Sequence, residues 1–338
     1  MMNKKFEYLV STKMKALVAA LLVVASVFFS IYAPAVENIP FLLIASAKGD
    51  IKTVSAMLAS GTNANTQDSE GVTALMYAAR KNRAEVVKLL LEKGADINAK
   101  DQTGWTALIF AAKKNNLATV KLLLEKGADP NIIDPTGWSA FTVASAAGFS
   151  QVIDALVNSG VDVNAKNEDG KTALMYAAKS GDVPSIQILL NHQADLQSKD
   201  KLGATPLMYA AREGHAKAIE AMLTILSQPK FDKNRTDIVN QQDEAEWTAL
   251  TWAVKKSNIE AAKVLVAAGA DVNHMDAQDT PILHFAVDAG SLDMVKFLLE
   301  SKVNVKAKDK YGLTALVYAL KGQHTEIANA IKGAGGSY

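Results

Sequence analysis

Apolar residues in this chain fall into short runs with helical spacing, separated by polar stretches rich in turn formers. In residues 71–103, Leu75, Ala78 and Ala79 share one helical face, and a second run at 84–93 sets Val86, Val87, Leu89, Leu90 and Leu91 inward. Thr73 precedes the first run as a helix N-cap. Asn82 ends that run, since asparagine enters left-handed backbone cheaply, and Gly94 ends the second. The remainder, ADINAKDQTG, carries Asn98, Asp101 and Gly104, which predict an extended finger leading to the next helical pair. Glycine at 104 admits the positive φ that tightens the finger.

The unit recurs. Gly71, Gly104, Gly137, Gly170 and Gly203 lie 33 residues apart and open GVTALMYAA, GWTALIFAA, GWSAFTVAS, GKTALMYAA and GATPLMYAA. Such a period is that of a helical solenoid. The cap slot runs Pro40, Thr73, Thr106, Ser139, Thr172, Thr205, Thr248, Pro281 and Thr314, with ten extra residues near 227–237. The expectation is an all-α array over residues 37–338. Its nine units lie near 38–70, 71–103, 104–136, 137–169, 170–202, 203–245, 246–278, 279–311 and 312–338, the outer two being worn. No pair buries its leucines alone, so stacking must supply one continuous core. Alanine pairs at 78/79, 111/112, 177/178 and 210/211 let the inner helices approach closely, and bulkier outer helices predict a curved stack.

These features resemble the ankyrin repeat. TPLM at 205–208, PILHFA at 281–286, GAD at 94–96, 127–129 and 269–271, and DVN at 162–164 and 271–273 match that family's pattern in register. The departure is the histidine slot of TPLH, held by Met76, Ile109, Thr142, Met175, Met208 and Thr251, with histidine only at His284. Loss of a local hydrogen bond is expected there, without loss of the fold. The resemblance implies a non-catalytic protein-interaction module or scaffold whose inner helices line a concave groove.

The contents of that face are sorted. Four residues after the cap slot stand Tyr77, Phe110, Val143, Tyr176, Tyr209, Trp252, Phe285 and Tyr318, seven of eight aromatic. Seven and eight residues after it stand Lys48, Arg80, Lys81, Lys113, Lys114, Lys179, Arg212, Lys255, Lys256 and Lys321 against only Glu213 and Asp288. Trp105, Trp138 and Trp247 directly precede the slot, so with Trp252 every tryptophan maps to the groove or its rim. An aromatic and basic strip, broken near Val143, Ala146 and Ala147, suits an acidic segment of a protein partner. The competing account is structural: cations near a helix C-terminus complement its dipole, and an aromatic at position four packs on the next unit.

Composition narrows the rest. Formal charge is +1 on the whole chain, and removing residues 1–35 leaves 32 basic and 34 acidic side chains, so net charge gives no reason to expect nucleic acid. The chain has no cysteine, which excludes disulfides, thiolate metal sites and a cysteine nucleophile. Residues 1–35 have a basic start, the apolar run ALVAALLVVASVFFSI and Ala33-Pro34-Ala35, the layout of a secretory signal suited to a bacterial envelope protein. Met14 is an alternative start to Met1 or Met2. Export to the periplasm or medium is expected; the alternative is an anchor of residues 16–33 retained in the membrane, the only route to membrane contact. His284 sits in the family's own slot, His215 and His324 ten residues after the cap slot, and His192 and His274 in loops. No HExxH, phosphate-loop or GxSxG motif occurs. No enzymatic activity, cofactor, metal or small-molecule substrate is expected, and the array is read as a monomer. Polyanion or nucleic-acid binding and a secreted effector are the remaining alternatives.

Overall fold

The computed structural model describes residues 40–225 and 235–338. The expected signal or anchor at 1–35 and most of the insertion, 226–234, lie outside the described residues. The array Leu42–Tyr338 forms one unit; of the other, Met1–Phe41, only Pro40 and Phe41 are described.

Nineteen helices are present among the described residues, and none is long and apolar enough to cross a membrane. They are α1 (Phe41–Lys48), α2 (Ile51–Ala59), α3 (Ala74–Arg80), α4 (Ala84–Glu92), α5 (Ala107–Lys113), α6 (Leu117–Glu125), α7 (Ala140–Ala147), α8 (Ser150–Val157), α9 (Ala173–Ser180) and α10 (Val183–Asn191). There follow α11 (Pro206–Glu213), α12 (Ala216–Ile225), α13 (Arg235–Val239), α14 (Ala249–Lys255), α15 (Ile259–Ala267), α16 (Ile282–Asp288), α17 (Leu292–Glu300), α18 (Ala315–Lys321) and α19 (Thr325–Gly333). Leaving α13 aside, these are nine antiparallel pairs. The first helices pack in one row, α3 on α5 on α7 and so on to α18, and the second helices in another, α2 on α4 through to α19.

Six of the nine first helices start at a side-chain cap. The hydroxyls of Thr73, Thr106, Ser139, Thr172, Thr205 and Thr248 accept from the backbone N–H three residues on, satisfying a donor the helix cannot. The expected loss of a bond at the histidine slot is corrected at five of the six positions and stands at Ile109, whose side chain has no acceptor. The sulfurs of Met76, Met175 and Met208 accept the cap residue's N–H at 3.4, 3.5 and 3.4 Å, and the Thr142 and Thr251 hydroxyls do so at 2.8 and 3.3 Å.

The alanine pairs are buried, as the close approach of first helices requires. In α4, Val86, Val87 and Leu90 are core, but Leu89 and Leu91 are only half-buried. Five inward positions in six residues exceed what one helical face can hold. The first helix always ends nine residues after the cap slot in left-handed backbone, including Ser257 and Gln323, neither a usual former of that geometry.

Units are also stitched by polar contacts. Asn65, Asn98, Asn164, Asn240 and Asn273 each accept from a backbone N–H 31 residues ahead, and Asn116 and Asn258 donate to the last carbonyls of the preceding unit's first helix. Register survives the insertion, whose last residues form α13 with Ile238 and Val239 buried. Neighbouring fingers share a backbone bond, Lys201 N–H to the Asp169 carbonyl at 2.9 Å and Glu244 N–H to the Leu202 carbonyl at 3.0 Å. This approach explains Gly203, whose φ is 77° and where a Cβ would lie 2.9 Å from the Glu244 nitrogen. No regular strand occurs among the described residues, only isolated bridges such as Gln67 with Thr73.

Candidate functional site

One Asp, or in one finger Asn167, organises each stretch of the groove. Asp68, Asp101, Asp134, Asn167, Asp200, Asp243, Asp276 and Asp309 stand five residues before the cap slot, and one side-chain oxygen of each accepts the backbone N–H groups two and four residues on. That closes the finger and aims the second side-chain atom at the groove. There it meets the aromatic residue of position four: the hydroxyls of Tyr77, Tyr209 and Tyr318 donate to Asp68, Asp200 and Asp309, and the Trp252 indole donates to Asp243. Beside Val143 and Phe285, which offer no donor, a tryptophan 29 residues before the finger acid supplies one. Trp105 donates to Asp134 at 3.0 Å beside Val143, and Trp247 to Asp276 at 3.2 Å beside Phe285.

These contacts set the ionisation of the floor. Burial opposes charge on Asp134, but bonds from the Trp138 N–H, Thr136 and Trp105 outweigh it, and its pKa lies below the usual value. Asp276 is lowered by the same balance, with Thr280, Gln278 and Trp247 as donors. Burial first, then the bond to Asp200, pushes the Tyr209 hydroxyl up. Burial also raises Tyr176, helped by the Asp169 charge, while Tyr318 is raised chiefly by its bond to Asp309. The polar atoms of these aromatic residues are therefore spent inside the fold, and a partner meets ring faces.

The rings form clusters across units. Trp105 stands edge-on to Phe110 at 5.2 Å, Trp138 lies 4.9 Å from Tyr176, and Trp247 contacts both Trp252 at 4.8 Å and Phe285 at 5.1 Å. The cations of position seven lie over them. Arg80 covers Tyr77 at 4.9 Å and Phe110 at 5.9 Å, and Arg212 covers Tyr209 at 5.1 Å and Trp252 at 5.5 Å. Lys255 sits over Phe285 and Lys321 over Tyr318. The Arg80 Nε is buried with no hydrogen-bond partner, so a guanidinium clamped between rings keeps donor capacity in reserve.

The acidic exceptions neutralise neighbours: Glu213 pairs with Arg212 at 3.3 Å, and Asp288 pairs with Lys255. Lys113 and Lys179 are exposed. Lys81, Lys114 and Lys256 occupy helix C-caps, also exposed, where their charge complements the helix terminus. At the interruption of the strip the surface opens instead. A cavity of about 580 Å³ is lined by Trp138, Ala146, Lys171, Tyr176 and Lys179, and a second of about 400 Å³ shares the last three and adds Lys201, Leu202 and Arg212. Lys171, Lys201 and the exposed Leu202 were not singled out by the sequence. Their signal is position on the finger, one, four and three residues before the slot.

The histidines are structural contacts: His215 Nε2 meets the Lys179 carbonyl at 3.0 Å, and the buried His284 Nε2 meets the Leu313 carbonyl at 3.1 Å. The described residues hold no group of acidic and histidine side chains suited to a metal ion.

A family profile described as ankyrin repeats (3 copies) matches residues 42–134, 141–237, 184–276, 231–309 and 274–336. Among curated proteins the chain is similar to serine/threonine-protein kinase 12 of Arabidopsis thaliana, 34% identical over 83 residues, and to inversin of Gallus gallus, 31% identical over 87. It is also similar to an ankyrin repeat protein of Fowlpox virus, 33% identical over 89 residues. Each alignment takes in about a quarter of this chain and only 18%, 8% and 20% of the respective relative. The profile matches span nearly the whole described array, and the chain belongs to the ankyrin repeat family, whose arrays mediate protein–protein interaction.

Proposed function

We propose that this protein is a non-catalytic interaction module, exported from the cytoplasm as a monomer, which holds an acidic segment of a partner protein in the groove formed by its first helices and fingers. The observation that carries this reading is the placement of Arg80, Arg212, Lys255 and Lys321 across ring faces whose own polar atoms are already bonded. Cations already held over rings lose little entropy on meeting a carboxylate, and a face on which basic residues outnumber Glu213 and Asp288 speeds encounter. Export is supported by the basic start, apolar run and Ala33-Pro34-Ala35. The mass of the native chain tests it: loss of about 35 residues supports a cleaved signal, whereas an intact N-terminus favours the anchored alternative.

Charge reversal tests the groove. Lys113→Glu, Lys114→Glu, Lys255→Glu and Lys256→Glu together are expected to weaken binding of a glutamate-rich peptide at least about tenfold and to flatten its salt dependence. Thermal stability should move little, because exposed ion pairs contribute about 0–1 kcal/mol each. Unchanged affinity in this variant would refute the reading.

A further inference from the structure

The finger acids distribute their bonds by a rule with one exception. A tryptophan before the cap slot donates to the finger acid of the next unit when position four there has no donor, as Trp105 does to Asp134 and Trp247 to Asp276. Trp138 follows a different course. The corresponding residue of the next unit is Asn167, whose amide donates to the Tyr176 hydroxyl at 3.1 Å while its oxygen closes the finger. Trp138 is half-buried, and unlike Trp105 and Trp247 its indole reaches no finger acid among the described residues. This donor lines the cavity that opens where the fourth unit carries Ala146 in the place of the cations Lys113 and Lys179 of its neighbours.

The cavity of about 580 Å³ sets the rings of Trp138 and Tyr176 and the methyl of Ala146 against a finger wall of Asn167, Glu168 and Asp169, where Lys171 pairs with Asp169 at 3.1 Å and Lys179 stands at the edge, so its apolar floor suits an uncharged side chain and its cation lies beside it. Beside the cavity the N–H groups of Lys171 and Ala204 are taken by finger side chains and that of Lys201 by the neighbouring finger, which leaves little edge for strand addition. A partner is therefore read through its side chains. First helices of successive units stack at about 8–10 Å, and a polyproline-II segment advances about 3.1 Å per residue. Three residues of such a segment thus span one unit.

We propose that the junction of the fourth and fifth units is the anchor pocket of the groove, seating one large apolar side chain of an extended acidic segment against Trp138 and Tyr176. The segment's backbone carbonyl accepts from the Trp138 indole. Acids three residues before and three residues after the anchor meet Lys113 and Lys179. This rests on the groove reading above and names the partner's chemistry more closely: acid, two spacers, anchor, two spacers, acid.

Three peptides of this kind test it against the full-length chain by calorimetry and intrinsic fluorescence: one with phenylalanine as anchor and glutamate at the third positions, one of the same composition with the glutamates moved next to the anchor, and one with serine for phenylalanine. The matched peptide is expected to bind at least about tenfold tighter than the shuffled one. Ala146→Lys fills the pocket with a side chain that neighbouring units carry. It should weaken the matched peptide about tenfold while strengthening the anchorless one, a divergence that charge alone cannot give. Trp138→Phe should weaken the matched peptide and abolish most of the fluorescence change. Equal affinity of matched and shuffled peptides, or strengthening of all three by Ala146→Lys, overturns the anchor pocket and leaves the groove reading standing. Failure of every peptide to bind, or indifference of all three to reversal of the groove lysines, overturns both.

Discussion

Three residues after the cap slot, different side chains meet the same need in five of the nine units. The cap residue has a backbone N–H to satisfy, and a methionine sulfur or a threonine hydroxyl accepts it. In the eighth unit the cap residue is Pro281, which has no N–H, so His284 is released to reach the next unit's Leu313 carbonyl. That carbonyl is an acceptor, so Nε2 carries the proton and Nδ1 is left as a buried acceptor without a partner. Burial lowers the His284 pKa from its ordinary 6.5, favouring the neutral ring in the folded state. Its stability contribution is accordingly full above pH 6.5 and lost as pH falls through 6.5 toward the lowered value, because the unfolded chain takes up the proton first. His284→Met, a residue other units carry at this position, should cost about 1 kcal/mol near neutral pH and make the urea midpoint less sensitive to acidification from pH about 7.5 to about 5. An undiminished slope in the variant would assign the acid sensitivity to other groups.

The element that joins unit to unit is the finger, and its acid is both latch and strut. Between the fifth and sixth units Asp200 accepts two backbone N–H groups at 2.9 and 2.8 Å and the Tyr209 hydroxyl at 2.7 Å. Asp200→Ala strands those donors, and a loss of about 1–3 kcal/mol is expected in chemical denaturation; a loss no larger than that of an exposed finger substitution would show the bonds to be incidental. The sequence showed Asp101, the counterpart of Asp200 three units earlier, as a turn former and Tyr209 as a groove residue, but not that a finger acid bonds the ring of position four. The two lie nine residues apart and meet only once the finger has folded back over the helix. The left-handed ends at Ser257 and Gln323 were hidden for a related reason: the stack imposes that backbone at every unit, whatever the local residue prefers. Helix starts were legible because an N-cap is written within four residues.

Across the molecule, a period of 33 residues converts a one-dimensional pattern into a surface, which is why the alignment of Tyr77 through Tyr318 and of Arg80 through Lys321 could be seen before any coordinates. What the period could not show is how much of that surface is already committed. The hydroxyls of Tyr77, Tyr209 and Tyr318 and three of the four indoles are spent on finger acids, Lys255 and Arg212 are paired, and the break at Ala146 is a cavity rather than a gap. The central claim is that recognition belongs to the face of first helices and fingers and is driven by charge over rings. Hydrogen exchange of the full-length chain with and without the matched acidic peptide tests it most directly. Protection confined to α5, α7, α9 and α11 and the fingers between them, weakening as salt is raised, is the expected result; protection centred on the second helices α6, α8, α10 and α12, or protection indifferent to salt, would contradict the account.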